Sequence, residues 1–184
     1  LLGLYLGDGC IDKIKNKKRL YRLRIVQDKK YVGLIEECAK TMRIILPNNS
    51  VCFVNAPGCV DIVILSIHLP QIFPQHAGGV KHKRKITFED WQRAIIDEFP
   101  LEVFRGLYHS DGSRSQNIVK GKNYVRYMFG NKSEDILDLF TYVCDKLSLH
   151  WTMKIPTNSK FVKVIYISTR ADVAYLDEMV GAKA

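Results

Sequence analysis

The sequence predicts an α+β chain built from two pseudo-symmetric halves, each running αββαββα. Three observations carry this. A short motif, GLYxxDG, occurs twice: residues 1–9 read LLGLYLGDG and residues 104–112 read FRGLYHSDG, an offset of 103 residues. The succession of strand-like and helix-like stretches after the first copy recurs after the second, which marks an internal duplication. The chain is also cationic, with 28 Lys and Arg against 19 Asp and Glu in 184 residues, a formal net charge of +9. Hydrophobic residues at 47% and charged residues at 26% exclude a disordered or collagen-like chain. No run of ~18 apolar residues is present, so no membrane partner is expected. The five cysteines, Cys10, Cys38, Cys52, Cys59 and Cys144, form no CxxC pair. That argues against a disulfide framework or a zinc ribbon. It favours a reducing, intracellular setting such as cytoplasm, nucleoid or organelle matrix. The positive charge calls for an anionic partner, nucleic acid first.

The first motif reads as a helix. Gly3 and Gly7, four apart, share one face, where small residues let a second helix backbone approach closely. Gly9 suits the left-handed residue that ends a helix. Strands follow at Cys10–Lys15 and Leu20–Gln27. The second of these alternates Tyr21, Leu23 and Ile25 with Arg22 and Arg24, as a half-buried strand does. Tyr31–Ile45 carries Leu34, Ile35, Cys38, Ala39 and Met42 at helical spacing, and Pro47-Asn48-Asn49 stops it. Strands at Val51–Asn55 and Val60–Ile67 flank a Pro57-Gly58 turn. A short helix starts after Leu69-Pro70. The basic loop Lys81–Lys85 and a helix around Trp91–Phe99 link the halves, so 1–99 is the first half with its linker and 100–184 the second.

The second half repeats the order. Gly106 and Ser110 match Gly3 and Gly7, and Gly112 matches Gly9. Strands are expected near Ser113–Lys120 and Tyr124–Gly130, with Val125, Tyr127 and Phe129 inward. A helix covers Ser133–Leu149 with Ile136, Leu137, Phe140, Val143, Cys144 and Leu147 inward. Strands at Trp151–Ile155 and Phe161–Ser168 precede a helix at Ala171–Met179.

Each motif places an acid, Asp8 or Asp111, in the last turn of its helix. A helix carboxyl end carries partial negative charge, so an anion there is unfavourable. If the two helices pack as a pair, two such ends and two carboxylates converge, and a divalent cation offsets the repulsion. Hard oxygen ligands of this kind suit Mg²⁺, with the backbone carbonyls of Gly7 and Ser110 as further ligands.

The two nonamers resemble the LAGLIDADG motif of homing endonucleases, in the single-chain form with two motifs. The resemblance covers nearly the whole chain, because the order of elements after each motif is also that family's. It implies a monomer whose two four-stranded antiparallel sheets form a saddle over double-stranded DNA, with the motif helices packed at the centre. The implied activity is site-specific double-strand cleavage with Mg²⁺, or Mn²⁺ in its place. Asp8 and Asp111 match the family's last motif acid, its metal ligand. Leu6 and His109 stand where the family has an earlier Asp that is not the principal ligand. The resemblance also implies a water-ordering amide at the end of the second strand, which is Gln27 in the first half and, by strand parity, Asn131 in the second. A basic residue near the scissile phosphate corresponds to Lys81 and Lys183, with Lys83 an alternative to Lys81.

Residues 12–30 hold nine basic side chains and two acids. Arg22 and Arg24 lie opposite Tyr21, Leu23 and Ile25, so one strand face is core and the other a cationic ribbon of the kind that fits the major groove. Candidate DNA contacts are Lys13, Lys15, Arg22, Arg24 and Asn55 in the first half. In the second they are Arg114, Gln116, Lys120, Arg126, Lys154 and Lys163, with Lys122 and Lys160 beside them. Which of these reach bases stays open, because the first strand of each half lacks clean alternation. A non-cleaving DNA-binding regulator and an RNA-binding intron maturase are the alternative functions.

Overall fold

The computed structural model describes residues 1–76, 79–156, 162–181 and 183. Contacts divide the chain into two compact units, Leu1–Val80 with Lys183–Ala184, and Lys81–Ala182.

The first unit runs α1 (Leu2–Asp8), β1 (Gly9–Lys13), β2 (Tyr21–Asp28), α2 (Val32–Ile45), β3 (Val51–Ala56), β4 (Cys59–Ser66) and α3 (Leu69–Ile72). Its four strands form one antiparallel sheet in the order β1-β2-β4-β3. The alternation in β2 explains its seat. Leu23 and Ile25 are fully buried beside Ile62 and Ile64 of β4. The helices cover that face: α2 buries Leu34, Cys38, Ala39 and Met42, and α1 buries Leu4, Tyr5 and Leu6. Each such Leu or Ile stabilises the unit by about 1.5–3 kcal/mol relative to exposure. The Tyr5 ring packs 4.6 Å from that of Phe73, just past α3. Gly58 turns the β3–β4 hairpin at φ +77°, which side chains rarely adopt.

The second unit runs from a 3₁₀ turn at Lys81–Lys83 through α4 (Asp90–Glu98), α5 (Pro100–Asp111), β5 (Gly112–Val119), β6 (Lys122–Asn131), α6 (Glu134–Lys146), β7 (Trp151–Lys154), β8 (Lys163–Ile167) and α7 (Arg170–Met179). The sheet order is β5-β6-β8-β7, the counterpart of the first. A capping box between Glu89 and Gln92 starts α4. Pro100 opens α5, where its missing N–H costs nothing. Helix α4, which the sequence suggests as part of a linker, packs on α5 and α6. The core is aromatic: Phe129 stacks on Phe140 at 4.0 Å, Phe104 lies 4.9 Å from Phe140, and Tyr108 lies 4.8 Å from Tyr127.

Each motif helix passes into its first strand with no intervening turn, and here the structure corrects the sequence-based expectation for glycine. Gly9 and Gly112 are extended, at φ −87°, ψ 153° and φ −87°, ψ 163°, and not left-handed. Glycine is required by space. A Cβ on Gly9 would lie 2.6 Å from Tyr5 Cα, and one on Gly112 would lie 2.2 Å from Tyr108 Cδ2 and 2.5 Å from its carbonyl oxygen. The chain leaves each helix by folding back over a buried tyrosine, which leaves room for a hydrogen only.

Phe161, expected to open the last strand, and Lys160 lie outside the described residues. Among the described residues, no helix is long and apolar enough to cross a membrane.

Candidate active site and nucleic-acid interface

The helix-to-strand junction sets the motif acid against the adjoining strand. Asp8 ends α1, and Gln27 lies one residue from the end of β2 on the parity of Leu23 and Ile25, facing the helices. Gln27 Nε2 donates to Asp8 Oδ2 at 3.1 Å, and Gln27 is only 4% exposed. The second unit repeats this. Asn131 ends β6 on the parity of Tyr127 and Phe129, and its Nδ2 donates to Asp111 Oδ2 at 2.7 Å. Its Oδ1 accepts from the Ser133 N–H at 2.8 Å, which fixes which end of the amide faces the acid. Each half therefore holds one carboxylate at a helix carboxyl end, oriented by one amide. The amide N–H restrains the carboxylate's rotation.

Gly7 and Ser110 immediately precede the acids, in the last helical turns. The Ser110 hydroxyl donates to the Gly106 carbonyl at 3.0 Å, so its side chain is turned back along its own helix, and only its carbonyl is a candidate ligand. Among the described residues, no group of three or more His, Cys, Asp and Glu gathers as a metal cage. The donors each half offers, one carboxylate and helix-end carbonyls, are hard oxygens. They fit Mg²⁺ or Mn²⁺ in the mode where one or two carboxylates bind and water and substrate phosphate complete the shell. They do not fit a tetrahedral zinc site. Leu6 and His109 are both buried, at 1% and 5% exposure. Lys81 begins the 3₁₀ turn and groups with the second unit, whereas Lys183 groups with the first. Lys83 is exposed and lines a recess with Lys132, Glu134 and Lys163.

Strand register sorts the DNA candidates by face, because side chains alternate strictly along a strand. In the first unit Arg22 and Arg24 do lie on the face away from the helices. Lys13 pairs with Tyr21 and Asn55 with Val60, so both sit on the opposite parity, at exposed strand ends. In the second unit Arg126 and Lys154 face away from the helices. Arg114 pairs with Tyr127 and Gln116 with Val125, on the helix side. Lys163 pairs with Asn131, also on the helix side, and binds Glu134 at 2.7 Å. Lys15 lies in the β1–β2 loop, and Lys120 (φ +49°) with Gly121 forms the tight β5–β6 turn. Of these candidates, the register places Arg22, Arg24, Arg126 and Lys154 on the outward faces of the sheets.

Arg114 has a structural task. It grips Asp177 of α7 through two bonds, at 2.7 and 2.8 Å, and Tyr127 Oη donates to the same carboxylate at 2.7 Å. The Arg114 guanidinium holds the Asp177 carboxyl below its ordinary range. Burial, then this bond, pushes the Tyr127 phenol up. Three outward features escape the sequence. Tyr166 lies under Arg126 at 4.9 Å. Ser115 receives the Arg126 Nε–H at 3.3 Å. Asp12 and Asp61 bind Arg22 and Arg24 at 3.0 and 3.4 Å. Only the pairing register could have found them.

No protein-family model matches the sequence, and no curated protein matches it. Solved structures do match in fold. Mesophilic variants of the homing endonuclease I-DmoI align with a TM-score of 0.68 at 17% identity, over 98% of this chain and 93% of that one. I-DmoI in complex with DNA and Mn aligns at 0.67 and 17% identity, over 100% and 94%. Meganuclease I-SmaMI bound to uncleaveable DNA aligns at 0.58 and 11% identity, over 95% and 79%. Along its length the chain has the α+β fold of single-chain LAGLIDADG homing endonucleases, two repeated halves each with a four-stranded antiparallel sheet.

Proposed function

We propose that this chain is a site-specific double-strand DNA endonuclease that works as a monomer with Mg²⁺ or Mn²⁺, its two duplicated halves, 1–99 and 100–184, each serving one DNA strand. The observation that carries the proposal is the acid–amide unit present in both halves, Asp8 with Gln27 and Asn131 with Asp111. A single such unit is an ordinary polar contact. Two, each at the junction of a motif helix with its sheet, supply one hydrolytic centre per strand.

Asp8 and Asp111, with the carbonyls of Gly7 and Ser110, would hold the metal. When bound, such a cation lowers the pKa of its water and offsets charge on the phosphate. Gln27 and Asn131 hold the carboxylates in one rotamer, and a remaining amide N–H can orient the attacking water. Lys81 and Lys183 supply positive charge near the phosphate as charge develops in the transition state. Arg22, Arg24, Arg126 and Lys154 face the duplex from the sheets, and Lys15 and Lys120 meet it from turns.

Cleavage-site selection tests this: a randomised duplex library incubated with the chain and Mg²⁺, with EDTA as control, and the new ends sequenced. Recovery of one related set of ends, absent in EDTA, is expected. Binding of duplex without cleavage in either Mg²⁺ or Mn²⁺ overturns the nuclease and leaves a DNA-binding regulator on the same fold. Preference for intron RNA over duplex overturns both in favour of a maturase.

A further inference from the structure

The outward faces of the two sheets differ in chemistry. From that difference we infer that the first half reads its stretch of DNA through thymine methyl groups. This rests on the proposal that the chain binds duplex DNA.

Register lays out the first face. One row across the sheet is Cys10, Arg24, Val63 and Cys52; the next is Asp12, Arg22 and Leu65; the row on the other side is Val26, Asp61 and Val54. Six of these side chains are apolar or thiol. Val54 is 52% and Leu65 40% exposed, and Cys10 and Cys52 are exposed as well. A contiguous apolar patch on the open face of a sheet marks a surface that something covers. The two arginines in it are neutralised in place, Arg22 by Asp12 and Arg24 by Asp61. Two cations and two anions leave the three rows with no net charge.

The second face differs in charge. Among its described outward residues, Lys122, Arg126 and Lys154 have no acid beside them, and its large side chains, Tyr124, Met128 and Tyr166, sit among these cations. Such a face gains from phosphates and polar base edges.

A neutral, apolar pleat gains nothing from a phosphate. The C5-methyl of thymine is the apolar group that a major-groove edge presents, and side chains of this kind recognise it. Charge complementarity argues for DNA as the occupant. The β1–β2 loop at one end of the patch carries Lys15, Lys17, Lys18 and Arg19, all exposed, which suit the flanking phosphates. The carboxylates of Asp12 and Asp61 also hold the two guanidiniums in defined orientations, so each is set to meet a guanine at a fixed offset from the methyl contacts. The first half-site should therefore pair thymine-rich positions with one or two guanines. Binding there should also be less sensitive to salt than at the second.

The test uses the full chain and the duplex enriched by binding selection from a randomised library in EDTA. Thymines are replaced by deoxyuridine in one half-site at a time, which removes only the methyls. Each methyl buried on the patch is expected to contribute about threefold to fourfold in Kd. The loss is expected to be larger in one half-site than in the other. The surface variants Val54→Ser and Leu65→Ser should bind thymine and uracil duplexes alike, which assigns the sensitive half-site to the first sheet. Equal binding of both duplexes by the unaltered chain, with salt-dependent affinity intact, overturns the methyl inference and leaves DNA binding standing. So does an enriched target with no thymine in that half. Failure of every duplex to bind overturns the functional proposal itself. Concentration-dependent self-association that Leu65→Ser abolishes would assign the patch to a second copy of this chain and overturn the inference.

Discussion

Replacing Gly112 by alanine adds one carbon at the junction of α5 and β5, and the structure gives its consequence. The backbone there is extended, so the substitution carries no conformational penalty of its own. The new Cβ would nevertheless sit 2.2 Å from Cδ2 and 2.8 Å from Cε2 of Tyr108, whose ring is 1% exposed between Phe104 and Tyr127 and has nowhere to go. Either the ring or the junction must move. Overpacking of this kind costs about 1–3 kcal/mol, and the contact distances place Gly112→Ala at the upper end. At about 2–4 °C per kcal/mol for a chain of this size, Tm should fall by ~5–10 °C. Asp111 is the preceding residue, so its bond to Asn131 shifts as well and cleavage falls with stability. Gly58→Ala is the control. Its φ of +77° makes alanine strained, but nothing lies within 4 Å, so the cost is about 1 kcal/mol. Thermal unfolding by circular dichroism compares the two. A Gly112→Ala chain as stable as the parent, or more stable than Gly58→Ala, would refute the steric account and restore glycine's backbone freedom as the reason for the motif.

Three further predictions follow from the same geometry. Gln27→Leu and Asn131→Leu each leave the acid without its orienting amide; cleavage should fall about 10–100-fold while duplex affinity holds, measured by single-turnover cleavage beside a binding titration. Asp177→Asn weakens the clamp on Arg114 and Tyr127. The Asp177 pKa is depressed, so its stabilisation is present above the ordinary value of 3.8 and is lost as pH falls through the lower folded value. The variant should lose about 1 kcal/mol at pH 7 and converge with the parent in acid, by denaturant unfolding at several pH values. Burial pushes the Cys38 thiol up to about 12, and the Cys144 thiol upward too. Alkylation at pH 8 followed by mass spectrometry should therefore modify Cys10 and Cys52 first and leave Cys38 and Cys144 intact in the folded chain.

The order of elements was readable because the duplicated motif fixes the frame and the apolar residues of β2, α2 and α6 keep strict periods. Gln27 was legible through the family resemblance, which implies an amide at the end of the second strand, and the parity of Tyr127 and Phe129 chose Asn131 in the second half; their bonds to Asp8 and Asp111 emerge only in the structure. Strand β5 offered no such guide. Its residues Ser113 to Asn117 are all polar, so only its register with Tyr127 and Phe129 reveals that Arg114 and Gln116 share the core's parity. The face of Asn55 and Lys13 was hidden for a related reason, since each lies at a strand end where even the helix side is exposed. The role of Gly9 and Gly112 was hidden because a Gly after a helix ordinarily signals a left-handed cap. Here the constraint is a tyrosine four residues back, visible only once the chain is folded.

The central claim is that one oriented carboxylate in each half hydrolyses DNA. The most direct measurement is Mg²⁺-dependent cleavage of a supercoiled plasmid carrying the selected site, by the parent and by Asp8→Asn and Asp111→Asn, with duplex affinity measured alongside. Each variant should keep its affinity and lose double-strand cutting. Full double-strand cutting by either variant would contradict the account.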